Sequence, residues 1–146
     1  MENKSITFNL RFAEIKLSKF SQFDLEQEFD GKAIPLIEFQ SNFQFKVLAD
    51  EEKLICIVTV KLIILETKEE FAELKVENVF NIQPFNEIIK LKPDNSHDIP
   101  NPVLHNIVSL SISTVRGILS EKLKGTIAQR EVYPLMNVPA LFENKK

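Results

Sequence analysis

Few side chains in this sequence can do chemistry. His97 and His105 are its two histidines, and neither has a second ligand at a metal-binding spacing such as HExxH. His97, in Asn95-Ser96-His97-Asp98, reads as a solvated loop residue, and His105 as a residue at the edge of a helix's apolar arc. Cys56 is the single cysteine, and among its Ile and Val neighbours it reads as a buried structural thiol rather than a nucleophile. Glu66, Glu69, Glu70 and Glu73 lie close enough to hold a cation, but a solvated hairpin tip or a protein-docking patch is the simpler account, and Glu51-Glu52 reads as a turn. Three glycines (Gly31, Gly117, Gly125) cannot build a GxGxxG or GxxxxGK phosphate loop. No nucleophile, base and orienting group assemble. The expectation is a binding protein that is not an enzyme and has no cofactor or metal site.

The chain's bulk properties agree. Its 146 residues predict one domain, 1–146, large enough to bury a core without staples. Hydrophobic residues at 44% and charged residues at 27% are ordinary globular usage, against disorder or coiled coil. A net charge of -3 gives no electrostatic reason for nucleic acid or anionic membrane as partner, and one cysteine suits a reducing compartment. The aromatics are almost wholly apolar, with 12 Phe against one Tyr and no Trp. Met1-Glu2-Asn3-Lys4 does not start an apolar signal run, and the longest apolar stretch, Leu54 to Leu65, is interrupted by Lys61 and is too short to span a bilayer. A soluble, cytoplasmic protein is expected.

These residues need elements to position them. Ile6, Phe8, Leu10 and Phe12 alternate with polar residues, which predicts a strand; a Phe-rich stretch of poor periodicity follows (Phe20, Phe23, Phe29). A second strand is predicted over 36–48, a third over 53–66 and a fourth over 70–82, with Ala72, Leu74, Val76, Phe80 and Ile82 on one face. Short turns between them imply antiparallel neighbours. Residues 84–100 read as loop. Asn101 offers an N-cap and Pro102 a first helical position for a helix from Val103 to about Lys124, ended by Gly125. A short final helix is expected from Val138 onward.

Two elements are more apolar than a small protomer can hide. The third strand is apolar on both faces, with Leu54, Cys56, Val58, Val60, Leu62 and Ile64 on one and Ile55, Ile57, Ile63 and Leu65 on the other. The long helix has an apolar arc of roughly 220°, leaving Asn106, Ser109, Ser113, Arg116 and Ser120 on the far side. One helix is about 10 Å wide, whereas four strands span roughly 19 Å. Something further must cover apolar surface: a second copy, a client or a ligand.

Three stretches together resemble the SecB family of bacterial export chaperones: Ile99-Pro100-Asn101-Pro102-Val103-Leu104, the helix closing on Arg116-Gly117, and Tyr133-Pro134-Leu135-Met136-Asn137-Val138-Pro139-Ala140-Leu141-Phe142. Phe71-Ala72-Glu73 through Val79-Phe80-Asn81-Ile82 is similar to the family's last strand. The resemblance implies an α+β fold: a four-stranded antiparallel sheet carrying one long helix in the C-terminal half, with a short final helix. It implies ATP-independent holding of unfolded preproteins for export, delivery to the SecA motor, and a homotetramer built as a dimer of dimers through the long helices. The groove for client polypeptide would then draw on Phe8, Leu10, Phe43, Phe45, Phe80, Leu141 and Phe142, the motor-docking surface on Asp24, Phe71 and Glu73, and the oligomer interface on Val103, Ile107, Leu110, Val115 and Ile118. The segment Ile118 to Tyr133 is longer than is usual in the family, and Lys145-Lys146 stand where the best-known members have an acidic tail. Divergent SecB-like chaperones guard antitoxins, so that role stands as an alternative. A helix-grip lipid carrier and a purely structural subunit are the competing readings.

Overall fold

The computed structural model describes residues 7–25 and 35–134. Four strands form one antiparallel sheet in the order β1-β4-β3-β2: β1 (Asn9–Gln22), β2 (Ile37–Leu48), β3 (Lys53–Ile64) and β4 (Glu70–Gln83). A 3-10 turn at Ala49–Glu51 joins β2 to β3, with Glu52 in the left-handed region, and Lys68 takes the same conformation between β3 and β4. Beyond β4 come a one-turn helix α1 (Phe85–Ile88) and a small hairpin, β5 (Lys90–Leu91) with β6 (His97–Asp98). The segment expected to be loop thus holds local structure, and it buries Phe85, Ile88 and Ile89 while leaving Leu91 exposed.

The core lies between the middle strands and the long helix α2 (Asn101–Lys122). On the helix side, β3 contributes Leu54, Cys56, Val58, Val60, Leu62 and Ile64, and β4 contributes Ala72, Leu74, Val76, Asn78, Phe80 and Ile82, all buried. Each large apolar side chain removed from water contributes about 1.5–3 kcal/mol. The opposite face of β3 is covered differently from the expectation. No described element lies over Ile55, Ile57 and Ile63, yet Ile57 is 2% exposed. Its cross-strand neighbours are Gln44 and Glu77, whose aliphatic stems are long enough to shield it.

β1 runs well past the predicted end at Phe12. Its register with β4 shifts twice, between Phe12 and Glu14 and between Leu17 and Lys19, so Ala13 and Ser18 are extra residues. Each extra residue is a bulge that restores the next apolar side chain to the same face. Leu10, Phe12, Ile15, Leu17 and Phe20 consequently lie opposite Ile82, Phe80, Asn78, Val76 and Leu74, on the helix side throughout. A third shift, between Leu62 and Ile63 of β3, makes Phe71 the extra residue of β4 and buries it in the core.

α2 begins one residue earlier than predicted. Pro100 occupies the N-cap position without a side-chain cap, Asn101 is the first helical residue and Pro102 follows in the first turn. The helix ends at Lys122, and Gly125 (φ 80°) serves the turn beyond it rather than the cap. By length and composition α2 could cross a membrane; here it lies on the sheet with Val103, Ile107, Val115 and Leu119 buried. The predicted final helix lies outside the described residues.

Candidate functional site

Three adjacent i,i+4 rows on α2 meet the sheet. The central row, Val103, Ile107, Ser111, Val115, Leu119 and Leu123, is buried throughout over β3 and β4. The row toward β2 runs through Leu104, Val108, Ile112 and Arg116. The row toward β1 runs through Leu110, Thr114, Ile118 and Lys122. Because the helix covers only the middle strands, each outer strand leaves an apolar flank beside it.

The β1 flank is open. Phe12 is 36% exposed, Ile15 47% and Leu17 37%, although all three face the helix side of the sheet. Across from them Leu110 is 36% exposed and Ile118 half-buried. The floor is Phe80, fully buried, whose ring lies 4.6 Å from that of Phe12 at an interplanar angle of 33°. At one end the Lys122 ammonium stands 5.9 Å from the centre of the Phe20 ring, within cation–π range. The result is a trough lined by Phe, Ile and Leu with one cation at its end. Such a surface sequesters apolar side chains with few directional demands, at about 25 cal/mol per Å² removed from water.

The β2 flank is closed. Past α2 the chain turns through Thr126 and Gln129 and returns to place Tyr133 over β2. Tyr133 is 1% exposed, meets the Phe39 ring edge-on at 5.6 Å, and shares a hydrogen bond with the Ser41 hydroxyl at 2.5 Å. Arg116 donates to the carbonyl oxygens of Tyr133 at 2.9 Å and Pro134 at 3.3 Å, fastening the segment to the helix. Burial raises the Tyr133 phenol pKa, with the Ser41 hydrogen bond opposing. Ile37, Phe39, Phe43, Phe45 and Val47 are half-buried against the core here.

Beneath the helix lies a small polar cluster. The Asn78 amide donates to the Cys56 carbonyl at 3.3 Å. The Thr114 hydroxyl sits 2.6 Å from Asn78 Oδ1 and 2.8 Å from the Ser111 carbonyl, and its one hydrogen can serve either. The Ser111 hydroxyl is buried without an oxygen or nitrogen partner and lies beside the Cys56 thiol, whose pKa burial pushes up to about 11. A thiol so protonated is a poor nucleophile. Nor do the glutamates gather: Glu70 lies 3.8 Å from Lys61 and Glu73 pairs with Lys19. Among the described residues no group of three or more His, Cys, Asp or Glu could hold a metal ion.

The expected site residues are divided by this geometry. Phe8 and Leu10 belong to the β1 side and Phe43 and Phe45 to the β2 side, so they line no common groove, and Phe80 is buried floor rather than accessible wall. Leu141 and Phe142 lie outside the described residues. Val103, Ile107 and Val115 are core residues under the helix and present nothing to a partner, whereas Leu110 and Ile118 stand on the wall of the open flank. Phe71 is buried by its bulge and cannot share a docking surface with Glu73. Asp24 is exposed just past β1. The flat face around Glu73 is mixed in charge rather than acidic. Lys16, Lys19, Lys46, Lys61 and Lys75 stand on it with Glu14, Glu38, Glu73 and Glu77. Lys19 holds the Glu73 carboxyl below its ordinary pKa. Ile15 and Leu17 escaped the sequence reading. Their signal was the spacing Leu10, Phe12, Ile15, Leu17, Phe20, a period of two broken twice by a step of three.

No protein-family model matches the chain, and no curated protein matches it significantly. Among solved structures it is similar to the Rv1957 SecB-like chaperone of Mycobacterium tuberculosis, in complex with a ChAD peptide from the Rv1956 HigA1 antitoxin. That match has a TM-score of 0.53 and 9% identity, and covers 88% of this chain and 90% of that one. A protein of unknown function from Streptococcus agalactiae matches at a TM-score of 0.44 with 13% identity over 90% of this chain and 99% of that one. The four-stranded antiparallel sheet with its long helix shares the fold of that SecB-like protein.

Proposed function

We propose that this protein is an ATP-independent holdase that binds non-native polypeptides along the open flank of α2. One observation carries the reading: the helix-side apolar row of β1, Phe12, Ile15 and Leu17, stays exposed after the protomer has buried its core. An unfolded client presents the complementary surface, apolar side chains on an extended backbone. A helix-grip carrier has no comparable support, because four strands leave the trough open rather than curled over a ligand. Delivery to a translocase motor lacks an electrostatic basis on the mixed-charge flat face, so the proposal is for holding. The test is light scattering of a chemically denatured protein diluted with and without this one. Suppression at stoichiometric amounts supports the reading, and unchanged aggregation ends it.

A second, narrower reading is a chaperone dedicated to an antitoxin. It is favoured by the complex in which the structurally similar Rv1957 holds an antitoxin peptide. A dedicated chaperone would protect one class of apolar segment and leave a panel of unrelated denatured proteins to aggregate; a general one would protect the panel.

A further inference from the structure

The open trough carries a regular row of side chains and one charge. On β1 the helix-side residues Phe12, Ile15, Leu17 and Phe20 stand opposite Phe80, Asn78, Val76 and Leu74, every second residue of an unbroken stretch of β4. The bulges at Ala13 and Ser18 spoil the backbone edge of β1 but keep these four side chains in step. Their spacing is about 6.8 Å, the repeat of alternate residues in any extended chain. The facing helix row, Leu110, Thr114, Ile118 and Lys122, advances about 6 Å per step. Leu110 to Lys122 covers about 18 Å of helix and Phe12 to Phe20 about 20 Å of strand. Both walls end together, where the Lys122 ammonium stands 5.9 Å from the centre of the Phe20 ring.

That charge is available to a ligand. Lys122 is exposed and, among the described residues, has no carboxylate within ion-pair distance; the adjacent Glu121 is taken by Lys124 at 2.9 Å. None of the wall residues named above is acidic, so a basic side chain laid in the trough meets repulsion at this end and no partner along the rest. A carboxylate meets an ammonium held over an apolar ring face. We propose that the trough selects extended segments with apolar side chains at three alternate positions and a carboxylate at the fourth. The apolar side chains lie along Phe12, Ile15 and Leu17, and the carboxylate pairs with Lys122 beside Phe20. This rests on the holdase reading and adds to it a register and a sign of charge.

The test is NMR titration of the isotope-labelled protein with end-capped heptapeptides. Leu-Ser-Phe-Ser-Leu-Ser-Asp and its reverse, Asp-Ser-Leu-Ser-Phe-Ser-Leu, cover the two directions in which a chain can lie. At about 0.1 M salt the better binder of the two should exceed its counterpart with Lys in place of Asp roughly tenfold, by attraction in one and repulsion in the other. Moving its Asp one position inward turns the carboxylate away from the protein and should abolish the preference. Lys122→Glu should invert the order of the Asp and Lys peptides. Lys122→Met, which keeps an apolar stem over Phe20, should equalise them; Lys122 is exposed, so both variants keep the fold. Lys92→Glu makes the same change of net charge in the turn between β5 and β6 and should leave the order as it is. An acid preference that survives Lys122→Met, or one that Lys92→Glu removes equally, overturns the proposal. A counterpart with Asn in place of Asp reads the trough itself. If it leaves the trough signals unmoved, the holdase site and this proposal fall together; if it binds while the Asp and Lys peptides bind equally, this proposal alone falls.

Discussion

The two flanks of α2 are the same kind of surface finished in two ways. Both are apolar strands left over when one helix covers a four-stranded sheet. Toward β2 the returning chain sets Tyr133 on Phe39 and Ser41 and is fastened by Arg116, so Val108 and Ile112 of the facing helix row are buried. Toward β1 no described segment returns, and Phe12, Ile15, Leu17 and Leu110 stay accessible. Among the described residues, a dozen residues of loop close one flank and none closes the other. Exposure at β1 is therefore a property of how the chain is routed, and it is where binding is expected.

The comparison breaks most sharply at Tyr133. Replacing it with Ala removes a buried aromatic and opens the closed flank, with an expected loss of about 3–5 kcal/mol in urea unfolding. A loss near zero would mean that the segment does not close the flank. On the other side, Ile15→Asp with Leu17→Asp places two charges in the trough. Stability should fall by about 1 kcal/mol, the sum of two changes at partly exposed strand positions. Client affinity in a fluorescence titration should fall roughly tenfold, the loss of about 1.4 kcal/mol; equal holding by wild type and variant would move the site elsewhere. Tyr133→Phe keeps the ring and removes the hydrogen bond to Ser41, an expected cost of about 1 kcal/mol.

The smallest effect concerns how β1 is tied down. Glu73→Gln breaks the ion pair with Lys19 and should cost about 0.5 kcal/mol at neutral pH. Lys19 holds the Glu73 carboxyl below its usual pKa, so the pair stabilises above the ordinary glutamate range and the contribution is lost as pH falls through the lowered value. The wild type and the variant should converge in acid; a difference that persists there would assign the effect to packing.

Much of this architecture was legible in residue patterns. β2 was readable because it keeps a period of two over its length, β3 because it is a continuous Ile- and Val-rich run, β4 because its period of two holds from Ala72 onward, and the long helix because Pro102 and Gly125 bracket an uninterrupted apolar spacing. β1 was truncated in the reading because a bulge shifts parity, and a shifted parity looks like lost periodicity. The same device governs Phe71, which the family resemblance sets on one surface with Glu73 while the register shift at Leu62 buries it. The helix arc was read correctly as wide but misassigned. Its width comes from three rows meeting a central sheet and two flanks, so Val103, Ile107 and Val115 went to the core and not to a partner. The closed flank was beyond the pattern, since it depends on Arg116 reaching carbonyls 17 and 18 positions along the chain.

The bulges at Ala13 and Ser18 have one more consequence. A greasy strand at a sheet margin is the raw material of fibrils, which grow by stacking straight, matching ribbons. Two kinks in fourteen residues deny an incoming ribbon that match. The rim can stay sticky toward foreign chains while remaining a poor seed for its own polymer.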